Sequence, residues 1–327
     1  MPVCCPRSIQ SLTLSSVLPK VGSWQDDGRD GRDDGQRLAM HLMTACDRAA
    51  FAVLQPDAGM TGSACLTIRH IDGTDRLVDL HQATPLRILF PYALPGDPLT
   101  AALVNTSGGL VGGDRLTVAI DIGASAAALV CAQAAEKVYR SLGPDSRVDL
   151  DLMVGPQAWF EMLPQETILF DGARLRRRTK VNVAPDGSFL GGEILVLGRQ
   201  ARGEQMRHGL LQDGWEVRRN GRMVWIDRLH LDGDIQGLSA AAATLNGAVA
   251  IATLVFVAED AGAYLEPLRH QLAGFDGRSG ATLVNGLLVV RWLADDPLSL
   301  RQSFAQAWIL LRSAKKWPAT LPRLWHI

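Results

Sequence analysis

The chain has 327 residues, 47% of them hydrophobic and 20% charged, with a formal net charge of -1. This is a globular composition with enough apolar residues for a sizeable core, and it excludes a charge-driven affinity for nucleic acid or an anionic membrane. Cys4, Cys5, Cys46, Cys65 and Cys131 form no C-x-x-C pair, so neither a disulfide framework nor a zinc ribbon is expected, and a reducing cytoplasmic compartment fits.

The first residues contain no continuous apolar run and no twin arginine, so a secretory signal is not expected. Residues 24–37, WQDDGRDGRDDGQR, interleave Asp, Arg and Gly with nothing to bury. We expect residues 1–55 to be a disordered extension and residues 56–327 a single domain. From about Gly62 to Val257 short β-type runs alternate with Gly, Pro or Asp every eight to twelve residues, as in RLTVAIDI, RVDLDLMV and RMVWIDRLHL. Only residues 133–141, QAAEKVYRS, suggest a short helical turn. The uncharged run 238–258 reaches the length of a membrane helix, but Asn246-Gly247 divides it. It therefore reads as two buried strands and a hairpin turn. Two helices are expected near the end, over 260–273 and 297–313. The second has Asp296 as cap, Pro297 at its first position, and a stripe of Leu300, Phe304, Ala307, Trp308 and Leu311.

The glycine-rich run 105–115, NTSGGLVGGDR, has the outer spacing of a phosphate loop, but Asp114 stands where that loop needs Lys. Asp114 is thus either a turn hydrogen-bonding residue or a ligand. No G-x-S-x-G elbow occurs, and the histidines form no H-x-H or H-x-x-x-H pair, so a His/Cys metal cage is not expected. Several carboxylates lie inside apolar or glycine-rich strands, namely Glu166, Glu193, Glu204 and Asp227. A buried acid must be paired, protonated or bound to a cation, so each is either a salt-bridge partner or a weak oxygen ligand that cations visit and leave. By strand alternation Glu193 shares a face with Leu195 and Leu197, and Asp227 with Trp225 and Leu229. Arg174, Arg176, Arg178 and Lys180 share the other kind of face, either plainly solvated or shaped to dock an acidic partner.

In order, PLRILFP (85–91), NTSGGLVGGDRL (105–116), AAEKVYRS (134–141), LPQETILFDGAR (163–174), GGEILVLGRQARGE (191–204), WIDRLHL (225–231) and the terminal PRLW (322–325) resemble the urease accessory protein UreD (UreH) family. The resemblance runs from about Gly62 to the C-terminus. It departs at Glu136, where the family commonly has Thr or Ser. It implies a mainly β fold, a helicoidal superhelix of strands with two α-helices near the C-terminus. It also implies a non-enzymatic maturation factor that binds UreF and, through it, the GTPase UreG, and that docks on the urease apoprotein. On the same resemblance nickel is the expected cargo, passed through an internal channel. Sites of isolated carboxylates hold Ni²⁺ weakly, as a transfer path requires, so Asp114, Glu193 and Asp227, with Glu166 and Glu136, are the expected members of that path. No tightly bound cofactor is expected. A β-rich hydrolase and a metal-free binding module are the alternatives.

Overall fold

The computed structural model describes residues 59–313 and 315–326; the expected extension over residues 1–55 lies outside them. The strands, in chain order, are β1 (Thr61–Ile71), β2 (Thr74–Ala83), β3 (Leu86–Leu89), β4 (Leu99–Asn105), β5 (Arg115–Ile122), β6 (Ala127–Ala132), β7 (Glu136–Val138), β8 (Ser146–Val154), β9 (Trp159–Leu163), β10 (Glu166–Leu169), β11 (Arg174–Val183), β12 (Ser188–Leu197), β13 (His208–Arg219), β14 (Arg222–Asp234), β15 (Ala250–Val257), β16 (Arg278–Val284) and β17 (Leu287–Ala294). The helices are α1 (Ile235–Ala240), α2 (Leu265–Leu272) and α3 (Pro297–Ser313).

From β4 to β13 the chain winds as a coil, leaving one strand in each of two sheets per turn. The first sheet runs β14-β13-β11-β8-β5-β1-β2 and the second β16-β17-β15-β12-β9-β6-β4-β3, with β7 and β10 off its main path. The coil makes the central pairs parallel, β1 with β5, β5 with β8, β8 with β11 and β11 with β13. Antiparallel hairpins finish both ends. The fold is therefore the mainly β helicoid expected from the sequence.

Side-chain patterning explains which faces are covered. In β5, RLTVAIDI, buried and less buried residues alternate, so only one face of the first sheet meets the core. In β12, SFLGGEILVL, every residue is buried: one face looks between the sheets and the other meets α3. Two cores result. The first lies between the sheets, and the second lies between the second sheet and α2, α3 and Trp325. Helix α3 begins and ends where the sequence predicts, with Asp296 accepting from the Leu298 and Ser299 N–H groups at 3.1 and 3.0 Å. The expected stripe is buried, joined by Arg312.

Two expectations are corrected. Residues 238–258 are not a strand hairpin: α1, capped by Asp234, and a run of turns precede the single strand β15. Asn246 and Gly247 do adopt positive φ (47° and 86°), as their turn chemistry requires. The Ala-rich arm before them lacks the β-branched side chains that would hold a strand. Residues 133–141 contain no helical turn; Glu136–Val138 is β7, parallel to β10. The helix expected over 260–273 opens as a 3-10 turn at Ala261–Tyr264 before α2, which places Pro267 in the first α-helical turn, where it is tolerated.

Candidate functional site: a cavity between the sheets

The second sheet forks. The first half of β12 pairs with β9 over Ser188–Gly191 and the second half with β10 over Ile194–Leu197. Gly192 and Glu193 lie at the fork. Strand β10 in turn pairs with β7, and Val138 of β7 bridges to Leu110, giving a short third ladder. Behind the gap between the ladders is a cavity of about 350 Å³, walled mostly by aliphatic side chains of both sheets. Its polar lining includes Asn105, Glu136, Thr167, Arg177 and Glu193, with Trp215 beside them.

The glycine run 105–115 supports this wall. Leu110 donates to the Lys137 carbonyl at 2.7 Å, and a Cβ at Gly109 (φ 145°) would stand 2.6 Å from that same oxygen. Only glycine permits the approach. Glu136 is inward from β7, with the Asn105 amide donating to both its oxygens at 3.2 Å. Burial raises its carboxyl above the ordinary glutamate range, and Asp114's charge adds to this; Asn105, the Lys137 backbone and Arg177's charge offset part of the rise.

Glu193 belongs to a compact cluster that joins the sheets. Its Oε2 accepts from Arg177 at 2.8 Å and from the Trp215 indole at 2.9 Å. Arg177 reaches inward from β11, where Asp213 of β13 is its register partner. Its Nε donates to both Asp213 oxygens at 3.1 Å and its Nη1 to Thr167 Oγ1 at 3.1 Å, and Nη2 also bonds Asp213. Burial, reinforced by Asp213's negative charge, raises the Glu193 carboxyl well above its usual range, against the pull of Arg177 and Trp215. On the predicted face, Leu195 and Leu197 follow Glu193 into the core between the sheets.

The other three expected carboxylates stand apart from the cavity lining. Asp114 is 2% exposed, and its two oxygens accept the Met60 and Val111 N–H groups at 2.7 and 2.9 Å. That is the turn-clamping role. Glu166 pairs with Arg301 of α3. The same guanidinium bonds the Trp325 carbonyl and lies 4.3 Å from the Trp325 ring centroid, tying the terminal PRLW to the coil. Asp227, opposite Trp215 in β14, pairs with Arg291 of β17 at 2.7 Å and so links the two sheets. Among the described residues no group of three or more His, Cys, Asp or Glu side chains is placed to hold a metal ion. Glu204, half-buried, pairs with Arg199 at 2.6 Å. The basic face of β11 is largely matched by acids: Arg174 by Asp145 at 2.6 Å, Arg178 by Asp149 at 3.2 Å and Lys180 by Asp151 at 4.0 Å. Arg176 shares Asp145.

Sequence reading missed Arg177, Asp213 and Glu161. The signal for Arg177 was present: it alone of the basic run alternates with Leu175, Thr179 and Val181, on the inward face. Asp213 has the same parity as Leu211, Trp215 and Val217. Glu161 lies in the second core, fully buried, with the Trp159 and Trp308 indoles donating to it at 2.9 and 2.8 Å. Arg312 lies 3.3 Å from Glu161, and its Nη2 donates to Asp97 at 2.9 Å.

No helix among the described residues is long and apolar enough to cross a membrane. Residues 60–326 match the model of the family described as UreD urease accessory protein. The chain is similar to the urease accessory protein UreD of Magnetococcus marinus, 47% identical over 277 residues, which cover 83% of this chain and 96% of that one. It is also similar to that of a Methylobacterium species, 43% identical over 259 residues, covering 78% and 90%. A mainly β coil that keeps those motifs in order, matched over nearly all its described length, belongs to the UreD urease accessory protein family.

Proposed function

We propose that this chain is a non-catalytic urease maturation factor of the cytoplasm, and that its domain from residue 56 onward carries nickel as cargo. In this reading it binds UreF and, through it, the GTPase UreG, docks on apo-urease, and passes Ni²⁺ through its interior. It needs no nucleic acid, membrane or resident cofactor.

The observation that carries the reading is the cavity between the sheets, aliphatic along most of its wall but carrying the carboxyls of Glu136 and Glu193. Oxygen donors without His or Cys hold Ni²⁺ loosely, so an ion is accepted and released. Glu136 and Glu193 are the central members of the path; Asp114, Glu166 and Asp227 are its outer candidates, each already engaged by backbone N–H groups or an arginine.

The test is co-expression with UreF, UreG and urease, reading nickel content and urea hydrolysis. Omission of this chain should abolish both. Glu136→Gln and Glu193→Gln should each preserve complex formation and lower activation; wild-type activation by both variants would remove the path.

A further inference from the structure

Arg177 lines the cavity and reaches from one sheet to the other. Its backbone belongs to the first sheet, yet its guanidinium bonds Glu193 and Thr167 of the second as well as Asp213 of its own. It therefore occupies the place where a cation between those oxygens would sit. One positive charge faces two carboxylates. A divalent cation there would be neutralised by the same pair, with the Thr167 hydroxyl as a further oxygen donor, a donor set suited to hard or borderline cations.

The open volume beside the cluster matters as much as its charges. Arg312 is likewise held by two buried carboxylates, Asp97 and Glu161, but those three residues do not line the cavity. Arg312 is fully enclosed, at 0% side-chain exposure. Arg177 borders about 350 Å³ of space whose other carboxyl, Glu136, already feels its charge.

We propose that Arg177 is a movable plug: withdrawn into the cavity, it uncovers an oxygen site of Glu193, Asp213 and Thr167 for a divalent cation, and its return competes that cation out. This rests on reading the interior as a nickel path, and it adds how the path opens and closes. Arg177 is a positioning residue in this scheme, since it touches the ligands and not the ion. Guanidinium and metal are rivals for the same two carboxylates, so each ion that lodges must displace the plug and each return of the plug releases an ion.

The test uses the purified full-length chain and Ni²⁺ alone, with Mg²⁺ as the competing hard cation. Equilibrium dialysis of Arg177→Met should show nickel bound at least about tenfold more tightly than by the wild type, because a competing charge is gone from a carboxylate site. Adding Asp213→Asn should abolish the gain, and Arg312→Met should produce none. Should Arg177→Met fail to fold by itself, nickel must restore its far-ultraviolet circular dichroism and cooperative melting, and the double variant must stay unresponsive. A folded Arg177→Met that holds no more nickel than the wild type overturns the plug, as does a gain that survives Asp213→Asn, or an unfolded variant that nickel does not rescue. The path is judged separately, by urease activation with Glu136→Gln and Glu193→Gln. Loss of activation there with no nickel gain in Arg177→Met sinks the plug and spares the path; the converse spares the site and sinks the path.

Discussion

Among the described residues two arginines, Arg312 and Arg177, each pair with two carboxylates, and the regions around them differ in one respect. Arg312 sits in the second core with Asp97 and Glu161, at 0% side-chain exposure, sealed by Trp159, Trp308 and the apolar stripe of α3. Arg177, at 15%, sits with Asp213 and Glu193 against a cavity. The same three charges serve as a lock in one setting and as a movable part in the other. A buried ion pair is poor evidence of net stabilisation, since its charges must be desolvated, but removing one partner leaves an uncompensated charge behind. The room available to that charge decides how much the removal costs.

The largest expected effect follows from the sealed cluster. Arg312→Met leaves Glu161 and Asp97 facing each other without a cation, and should lower stability by about 3–5 kcal/mol in urea unfolding. Arg177→Met should cost less, about 1–3 kcal/mol, because solvent or a cation entering the cavity can meet the freed carboxylates. Equal losses in the two variants would break the comparison, since room would then make no difference. Next comes the cavity wall itself. Gly109→Ala forces a side chain onto the Lys137 carbonyl at a positive φ, and should cost about 1–3 kcal/mol. Hydrogen exchange should locate the loosening at Leu110 and β7, with α3 unaffected. A uniform loss of protection would mean that the third ladder is not a separate support.

Much of this architecture was legible because it is written locally. Alternation in β5 and β11, and the cap, proline and apolar stripe of α3, each state their structure within one element. The third ladder is not written that way. Strands β7 and β10 are short, and each is held by partners far along the chain, so Glu136–Val138 has no local period to read. The site divides similarly. Glu193 stands out as an acid between glycine and apolar neighbours, and Glu136 as a departure from the family pattern. Arg177 is hidden inside a run of basic residues, and Asp213-Gly214 reads as a turn signal although it lies mid-strand in β13. What sequence cannot supply is the pairing of the fork. The split of β12 between β9 and β10 creates the cavity, and it exists only in the fold.

The smallest expected effect concerns pH, and it sharpens the contrast from the sealed side. Burial holds the Glu161 carboxyl above the ordinary glutamate range; Arg312, Trp159 and Trp308 oppose this, and Asp97's charge adds to it. The folded state therefore keeps a proton that the unfolded chain, with a value of about 4.3, has already lost. Stability from this group is present in full below that value and declines as pH rises through the folded one. Glu161→Gln stays neutral throughout, so the wild type should lose stability relative to it as pH is raised from about 4 towards neutrality. Parallel stability curves for the two proteins would contradict this. Arg312→Met removes the charge that opposes burial, so its deficit should grow with pH over the same interval and extend further. A sealed carboxylate that loses its arginine has only a proton to relieve it, whereas one beside a cavity can take up an ion instead.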